Sequence, residues 1–373
     1  MTEKLTIRNF GPIVDVDLIL CPVTVLIGDQ GTGKSTIAKL LFCLKGAAHN
    51  FMPLARFSLA VKGDELSTNE KRRKQKDNFI NDFLELLKQG NLLNCLSKET
   101  FIDYRCATFC MTYSYNETSG QATEETQDKS TDNIYFIPAA REAFIIIKES
   151  YPALMVAKAD IPIWINLFGQ HFNNYRAKSN LFDYKHILNF SYQSRSGKDI
   201  LISDGKEFSF QEASSAINSS LPMLVTFDGV INEMKQNRGI SEMNRPFIVI
   251  EEPELNCFPK TQKDIVDYLV TRSQTRNNFL VNLLITTHSP YILSALNNLM
   301  SGFEAASVDS KQVEKLYPGK TWLNPKDVSV YLLKDGLIED IMDHDQHLIK
   351  VDKIDAVSDI LNEEFESLLK IQL

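Results

Sequence analysis

A glycine-rich run near the N-terminus constrains the fold of this chain more than any other feature does. Residues 28–35 read Gly-Asp-Gln-Gly-Thr-Gly-Lys-Ser, which fits the pattern of glycine, four residues and Gly-Lys-Ser/Thr without departure. The apolar residues 23–27 before the run are rich in β-branched side chains and predict a buried strand. Residues 36–42 after it carry apolar side chains at helical spacing. A strand, a glycine loop and a helix in this order predict a P-loop in an α/β fold.

This loop is expected to hold the phosphates of a nucleoside triphosphate. Its glycines allow backbone N–H groups to curl around phosphate oxygens, and the helix N-terminus adds partial positive charge. We expect Lys34 to reach the β- and γ-phosphates and the Ser35 hydroxyl to bind Mg²⁺. The predicted nucleotide-binding residues of the loop are Gly28, Asp29, Gln30, Gly31, Thr32, Gly33, Lys34, Ser35 and Thr36.

A second apolar strand ends in acidic residues. Residues 247–250 are apolar and are followed by Glu251, Glu252, Pro253 and Glu254. A parallel strand brings its C-terminal residues to the ligand edge of an open sheet. There one carboxylate can bind Mg²⁺ and a neighbouring one can polarise the attacking water. We assign Glu251 to the metal and Glu252 to the catalytic base.

A third apolar strand is followed by a histidine. Residues 283–286 lead into Thr287, His288, Ser289 and Pro290. At the end of a strand, the His288 side chain can hydrogen-bond the γ-phosphate or the attacking water. We therefore include His288 among the predicted catalytic residues.

Two serines stand at the start of a predicted helix. Ser214 and Ser215 lie in the run 212–219, between the P-loop and the acidic strand. Serine at this position commonly caps a helix and need do nothing more. A role in nucleotide binding depends on the order of the segments described below.

Composition limits the kinds of partner. The net charge of −8 argues against general attraction to nucleic acid, so such a contact needs a local basic patch. No apolar stretch reaches the length of a transmembrane helix, and the N-terminus lacks a signal-peptide pattern. We expect a cytoplasmic protein that does not bind a membrane.

Residues 46–130 differ in character from the segments around them. Apolar pairs between 79 and 87 fall on one helical face, and residues 116–133 are polar. We predict a main domain, residues 1–45 and 131–373, and a mainly helical insertion with a flexible loop, residues 46–130. A basic run in this insertion is either a solvated helix face or a surface that contacts nucleic-acid phosphates. It contains Lys71, Arg72, Arg73, Lys74 and Lys76.

Five segments follow one another in an order that resembles a known family. They are Ile7-Arg8-Asn9-Phe10-Gly11, the P-loop, Ala213-Ser214-Ser215, Glu251-Glu252-Pro253-Glu254 and Thr286-Thr287-His288-Ser289-Pro290. This order is similar to the ABC-type ATPase heads of the RecF/SMC-like group. It is similar in particular to AAA-type ATPases akin to the OLD family and to the ATPase subunits of bacterial antiphage systems such as Septu. The segment Tyr135–Arg141 also resembles part of that family.

The resemblance implies an ABC- or SMC-head-like mixed sheet with an N-terminal antiparallel β subdomain, and ATP and Mg²⁺ as cofactors of an ATPase. In such heads two subunits enclose two ATP molecules, and the signature helix of one faces the γ-phosphate bound by the other. It therefore implies a homodimer or higher oligomer in which Ser214 and Ser215 bind the nucleotide of a second copy, because serine hydroxyls and a helix N-terminus suit this anion.

The resemblance also implies a biological role. OLD-type proteins carry a C-terminal Toprim nuclease, whose upstream glutamate and βαβ spacing are missing after Pro290. This implies an ATP-dependent switch or clamp that controls a separate effector, a nuclease or toxin, in antiphage defence. Three residues depart from the usual pattern: Ala216 replaces glycine, Asn218 replaces glutamine and Glu251 replaces aspartate. The bulkier Ala216 predicts slow hydrolysis, or ATP used as a clamp.

Two other functions stay open on the sequence. A RecF-like ATPase in recombination or repair binds DNA, and the basic run 71–76 is its candidate contact surface. A nucleotide-binding subunit of a membrane transporter also has a P-loop. The Leu-Ser-Gly-Gly-Gln signature of transporters is missing here, and the RecF-like start of the chain argues against this class.

Overall fold

The chain is described by a computed structural model that covers residues 3–60, 80–106, 109–115, 118–122, 134–147, 150–157, 161–178, 181–236, 245–275, 279–317, 321–351 and 364–365. The basic run 71–76, which is the predicted nucleic-acid surface, lies outside the described residues, and so does most of the predicted polar loop 116–133.

The described strands are interspersed with helices along the chain. In chain order they are β1 (Glu3–Phe10), β2 (Ile13–Leu20), β3 (Val23–Gly28), β4 (Phe101–Arg105), β5 (Phe109–Ser114), β6 (Thr118–Ala122), β7 (Ile134–Ile137), β8 (Phe182–Asp183), β9 (Ser191–Arg195), β10 (Lys198–Ser203), β11 (Lys206–Ser209), β12 (Phe247–Glu251), β13 (Asn282–Thr287), β14 (Val328–Lys334), β15 (Leu337–Asp340), β16 (Met342–Asp343) and β17 (Leu348–Ile349).

The helices lie between these strands. They are α1 (Lys34–Ala60), α2 (80–89), α3 (Arg141–Ile147), α4 (Tyr151–Val156), α5 (Ile163–Lys178), α6 (Lys185–Leu188), α7 (Ser215–Gln236), α8 (Pro259–Ser273) and α9 (Pro290–Leu316). Short 3₁₀ helices span Leu93–Cys95, Phe210–Glu212 and Pro325–Asp327. Within the described ranges, no helix combines the length and the apolar character needed to cross a bilayer.

One large mixed sheet organises the molecule. It has eleven strands in the order β6-β5-β4-β1-β2-β15-β14-β3-β13-β12-β7. Strands β14, β3, β13, β12 and β7 are parallel to one another. The chain's first two strands form an antiparallel hairpin, and β4, β5 and β6 continue the antiparallel half of the sheet. This half agrees with the N-terminal antiparallel β subdomain that the resemblance implies. The structure confirms the predicted α/β class and the mixed sheet.

β3 lies inside the parallel half because its side chains fit a strand that is covered on both faces. Val23, Val25 and Ile27 belong to the core formed with α8 and α9. Leu26 belongs to the core formed with α1. Packing on both faces holds the end of β3, and therefore the loop after it, at a fixed place on the sheet edge.

Part of the predicted insertion is not helical. Residues 46–60 belong to α1 and residues 80–89 form α2, but residues 101–122 contain β4, β5 and β6. Ile102 of β4 lies opposite Ile7 of β1, so these strands extend the main sheet. The mainly helical prediction is wrong for this part, because the helical spacing of residues 79–87 does not continue into it and its strands pair with one another and with the distant β1. The proposed division into domains stays a prediction.

A helical layer and a small sheet connect the P-loop half to the acidic strand. α5 and α3 both pack against α7, and α5 also contacts β7. The small sheet has the order β11-β10-β9-β8. The 3₁₀ helix Phe210–Glu212 follows β11 directly, so the start of α7 comes immediately after the small sheet.

Candidate functional site

Three parallel strands end at one edge of the large sheet. Ile27 of β3 lies opposite Thr287 of β13, and Glu251 of β12 lies opposite Thr286. The P-loop, residues 251–255 at and after the end of β12 (the acidic turn) and His288 therefore leave the sheet at the same edge. Open α/β sheets bind their ligands at this edge.

The P-loop conformation depends on glycine. Gly28 and Gly33 have φ angles of 153° and 104°. A Cβ atom at Gly28 would lie 2.2 Å from the Leu333 carbonyl oxygen, and one at Gly33 would lie 2.3 Å from Cδ1 of Ile13. Both contacts are closer than atoms can approach, so these positions require glycine. The turn of the N-terminal hairpin and the end of β14 thus fix the two ends of the loop.

Lys34 turns its charge toward the loop. Its Nζ donates to the carbonyl oxygens of Gly28 and Asp29, both at 2.7 Å, and lies 3.4 Å from Oγ1 of Thr32. Burial of the ammonium lowers the pKa of Lys34. A buried cation whose hydrogen bonds go to neutral oxygens provides strong attraction for a phosphate group.

The remaining loop residues lie around this lysine. Asp29, Gln30 and Gly31 are exposed, whereas Thr32 is half-buried and donates through Oγ1 to the Asp29 carbonyl oxygen at 2.9 Å. Ser35 and Thr36 are half-buried in the first turn of α1. The structure therefore places this glycine-rich loop at the N-terminus of α1, where an anion can bind.

Buried oxygen atoms without a hydrogen-bond partner lie at the acidic turn. Glu251 is 3% exposed, and its Oε2 accepts from the Ala139 N–H at 3.1 Å. Glu254 accepts through Oε1 from the Thr287 hydroxyl at 2.6 Å and from the His288 N–H at 2.8 Å. Among the described residues, Glu251 Oε1, Glu254 Oε2 and Oγ1 of Thr286 have no partner. Burial raises the pKa of Glu254.

These oxygens fit a hard divalent cation. Carboxylate and hydroxyl oxygens are typical Mg²⁺ ligands, and Mg²⁺ in nucleotide sites is commonly held by one or two protein groups together with substrate phosphates. No group of three or more His, Cys, Asp or Glu side chains in the described part of the chain is arranged to hold a metal alone. The donor set therefore fits a cation that arrives with a nucleotide, next to Glu251.

Glu252 and His288 come together at the edge. The Nε2 atom of His288 lies 3.6 Å from Oε1 of Glu252, and the two side chains are 30% and 27% exposed. Glu252 has a φ angle of 46°, and its N–H donates to the Thr286 carbonyl oxygen at 2.8 Å. Both side chains are open to water, so they can hold a water molecule and exchange protons with it.

Arg141 is a site residue that the sequence analysis did not single out. It is the first residue of α3, after β7, and it is completely buried. Among the described residues, it donates only to backbone carbonyl oxygens. The acceptors are Ser219, Pro138, Glu251 and Glu252, at 2.6, 3.1, 2.7 and 2.8 Å. Burial lowers the pKa of Arg141 to about 10. The sequence signal was the segment Tyr135–Arg141, which was noted only as a family resemblance.

Ser214 and Ser215 make no described contact with the P-loop of their own chain. Both residues are exposed at the start of α7. Within the described residues, neither serine has a hydrogen bond or ion pair with residues 28–36. The predicted contact of these serines with the nucleotide of a second copy stays a prediction.

A P-loop at the end of a central parallel strand, beside an acidic turn on a mixed sheet, defines the class of P-loop ATPases. A family model described as an AAA ATPase domain matches residues 1–163 and 166–293, and the chain belongs to this family. The chain is accordingly an ATP-binding protein and an ATPase. A search of curated proteins finds no match.

Solved structures with a similar chain path include two SMC heads and a recombination mediator protein. The SMC head domain from Thermotoga maritima has 10% identity and a TM-score of 0.43, covering 91% of this chain and 98% of that one. The recombination mediator protein RecF with ATPrS has 9% identity and a TM-score of 0.42, with coverage of 91% and 98%. An SMC head bound to the C-terminal winged-helix domain of ScpA has 13% identity and a TM-score of 0.37, covering 91% and 97%.

Proposed function

We propose that this ATPase is a switch in which two copies close head to head around ATP and Mg²⁺ and thereby control a separate effector protein. One observation carries the proposal. The hydroxyl groups at the start of α7 are exposed and unconnected to the P-loop of the same chain, while Glu252 and His288 stand at the open edge of that loop. Exposed hydroxyl groups that no described contact ties to their own P-loop are available to the nucleotide of a second copy.

The chain's own groups supply phosphate binding. The N–H groups of the loop and the N-terminus of α1 face the phosphates. Lys34 is poised for the β- and γ-phosphates, because a phosphate anion is a stronger acceptor than the two carbonyl oxygens that now hold its Nζ. Ser35 and Glu251 are the proposed Mg²⁺ ligands, and the bound ion would neutralise charge on the phosphates.

Glu252 is the proposed catalytic base. Its side chain is open to water and lies beside His288, so it can orient the attacking water. It can take up the proton of this water as the water oxygen bonds to the γ-phosphorus and the bond between that phosphorus and the β–γ bridging oxygen breaks, with ADP as the leaving group. His288 is proposed to hydrogen-bond the γ-phosphate or the same water. Glu254 holds the His288 N–H and therefore fixes where this histidine leaves β13.

The second copy is proposed to complete the site with Ser214 and Ser215. Hydroxyl donors and a helix N-terminus both stabilise an anion such as the γ-phosphate. Closure would then depend on ATP and would end after hydrolysis. The effector, a nuclease or toxin, and the setting of bacterial antiphage defence are supported by the resemblance in segment order, and they complete the proposal.

Two substitutions separate binding from hydrolysis. Lys34→Ala is expected to abolish ATP binding, because it removes the buried cation. Glu252→Gln is expected to keep binding while phosphate release falls by about a hundredfold or more, since only the proton acceptor is lost. Equilibrium binding of labelled ATP and release of inorganic phosphate measure the two effects.

Two variants on exposed side chains serve as controls. Lys88→Ala on α2 and Glu99→Gln change the same residue types away from the sheet edge and are expected to behave like the unmodified protein. Normal phosphate release by the Glu252→Gln variant would remove Glu252 from its role as the base.

A further inference from the structure

Packing alone does not explain why an arginine, Arg141, stands at a fully buried position. A fully buried arginine is uncommon, and a guanidinium without a hydrogen-bonded carboxylate is costly to bury. Here the donors Nε, Nη1 and Nη2 are directed at carbonyl oxygens from the segment after β7, from α7 and from the acidic turn. An apolar residue would fill such a core position at lower cost. The specific gain from arginine is the fixed direction of several donors.

The acidic turn needs such fixing. Glu252 has left-handed backbone, which is unfavourable for a non-glycine residue and persists only where the surroundings impose it. Two bonds impose it: the Glu252 N–H donates to Thr286, and the Glu252 carbonyl oxygen accepts from Nη2 of Arg141. The second Arg141 contact, at 2.7 Å to the Glu251 carbonyl oxygen, secures the preceding residue.

The same guanidinium also holds α7. Its Nε donates to the Ser219 carbonyl oxygen at 2.6 Å, one helical turn after Ser215. The Ser219 hydroxyl donates to the Leu255 carbonyl oxygen at 2.8 Å, which makes a second bridge from α7 to the acidic turn. Pro222 lies inside α7 and has no N–H, so the helix lacks one of its own hydrogen bonds in this region.

We propose that Arg141 is a positioning residue that makes the acidic turn and the start of α7 one unit. It sets the backbone that carries Glu252 and, through Ser219, the orientation of the hydroxyls of Ser214 and Ser215. Each chain then contributes one half-site to its own nucleotide and another half-site to the nucleotide of a second copy. One buried side chain couples these two half-sites. The inference rests on the proposed shared site and adds the element that links its halves.

Arg141→Lys and Arg141→Met test this positioning role. Lysine keeps a charge but has one donor group, and methionine keeps similar bulk without donors. Because the P-loop is untouched, the Kd for ATP is expected to change by less than about threefold in both variants. The kcat is expected to fall about tenfold with lysine and about a hundredfold with methionine, because substitutions that displace a catalytic residue lower kcat by such factors.

Ser219→Ala supplies a second measurement that keeps Arg141 in place. It removes the hydroxyl bridge to Leu255 and is expected to lower kcat by about threefold to tenfold with unchanged ATP affinity. Ser273→Ala on α8 is the matched control, since this buried serine also donates to a helix carbonyl, that of Val270. The control is expected to leave kcat unchanged.

The outcomes distinguish this inference from the proposed function. Unmodified protein that binds no ATP, or whose Glu252→Gln variant releases phosphate normally, contradicts the proposed function itself. If the unmodified protein behaves as proposed, turnover by Arg141→Met at the normal rate overturns the positioning role. Equal losses of ATP affinity and kcat in folded Arg141→Lys, or a normal kcat in Ser219→Ala, also overturn it.

Discussion

Glu254 shows how the sheet edge holds a carboxylate whose charge is costly. Burial raises its pKa, while the Thr287 hydroxyl and the His288 N–H donate to one of its oxygens. The other oxygen has no partner among the described residues. A raised pKa means that the folded state favours the protonated form, so the stabilising contribution of this group is largest at low pH and is lost as pH rises through the raised pKa.

Glu254→Gln is expected to change the pH dependence of stability. Glutamine keeps an acceptor for Thr287 and His288 but does not ionise. The quantity of interest is the Tm of the variant minus the Tm of the unmodified protein. This difference is expected to be larger by about 1–3 °C at pH 8 than at pH 5, because only the glutamate becomes charged as the pH rises. Thermal unfolding without nucleotide or Mg²⁺ measures this difference, and an equal Tm difference at both pH values would contradict the explanation.

Single residues also show what the sequence allows one to predict. Glu252 and His288 each follow an apolar strand, and the ends of parallel strands meet, so their shared edge was predictable. Arg141 was not, because its burial depends on carbonyl groups at Ser219 and at the acidic turn, which are distant in sequence. A charged residue after a strand carries no local sign that three segments will surround it.

Among the elements, the P-loop unit was predicted well and the segment after it less well. The strand, loop and helix around Gly28 are encoded by neighbouring residues, so periodicity is enough. β4 was missed although it forms a local hairpin with β5, and its second pairing, with the distant β1, leaves little trace in local periodicity. The helical spacing of apolar residues between 79 and 87 led to the expectation that the whole insertion is mainly helical.

α7 is the element whose first turn is proposed to control the rate of hydrolysis. Ala216 stands where the ATPase heads that this chain resembles usually have glycine, and its methyl group is proposed to reduce the space for the γ-phosphate bound by a second copy. Ala216→Gly is expected to raise kcat by several-fold. The same change is expected to lower helix stability by about 1 kcal/mol or less, because glycine is a poorer helix former.

Steady-state phosphate release measures the effect of this substitution. Ala305→Gly, at an exposed position of α9, is the matched control, because it weakens a helix without changing α7. An unchanged or lower kcat in the Ala216→Gly variant, with normal turnover in the control, would show that this methyl group does not limit hydrolysis.

At the scale of the whole molecule, each chain is proposed to hold two incomplete half-sites on different elements. The P-loop, Glu252 and His288 lie at the sheet edge, and Ser214 and Ser215 lie at the exposed start of α7. Coupling between copies then arises from the fold itself, because α7 is bound to the acidic turn of its own chain through Arg141.

Mixing two inactive variants tests the shared site most directly. Lys34→Ala removes nucleotide binding and leaves α7 intact, whereas Ser215→Asp keeps the helix start but repels a γ-phosphate. In a mixed pair, one site combines the intact P-loop of the Ser215→Asp chain with the intact α7 of the Lys34→Ala chain. Random pairing at equal concentrations predicts recovery of phosphate release up to about a quarter of the unmodified rate. The shared site would be contradicted if the rate of phosphate release by the mixture only equalled the sum of the rates of the two separate variants.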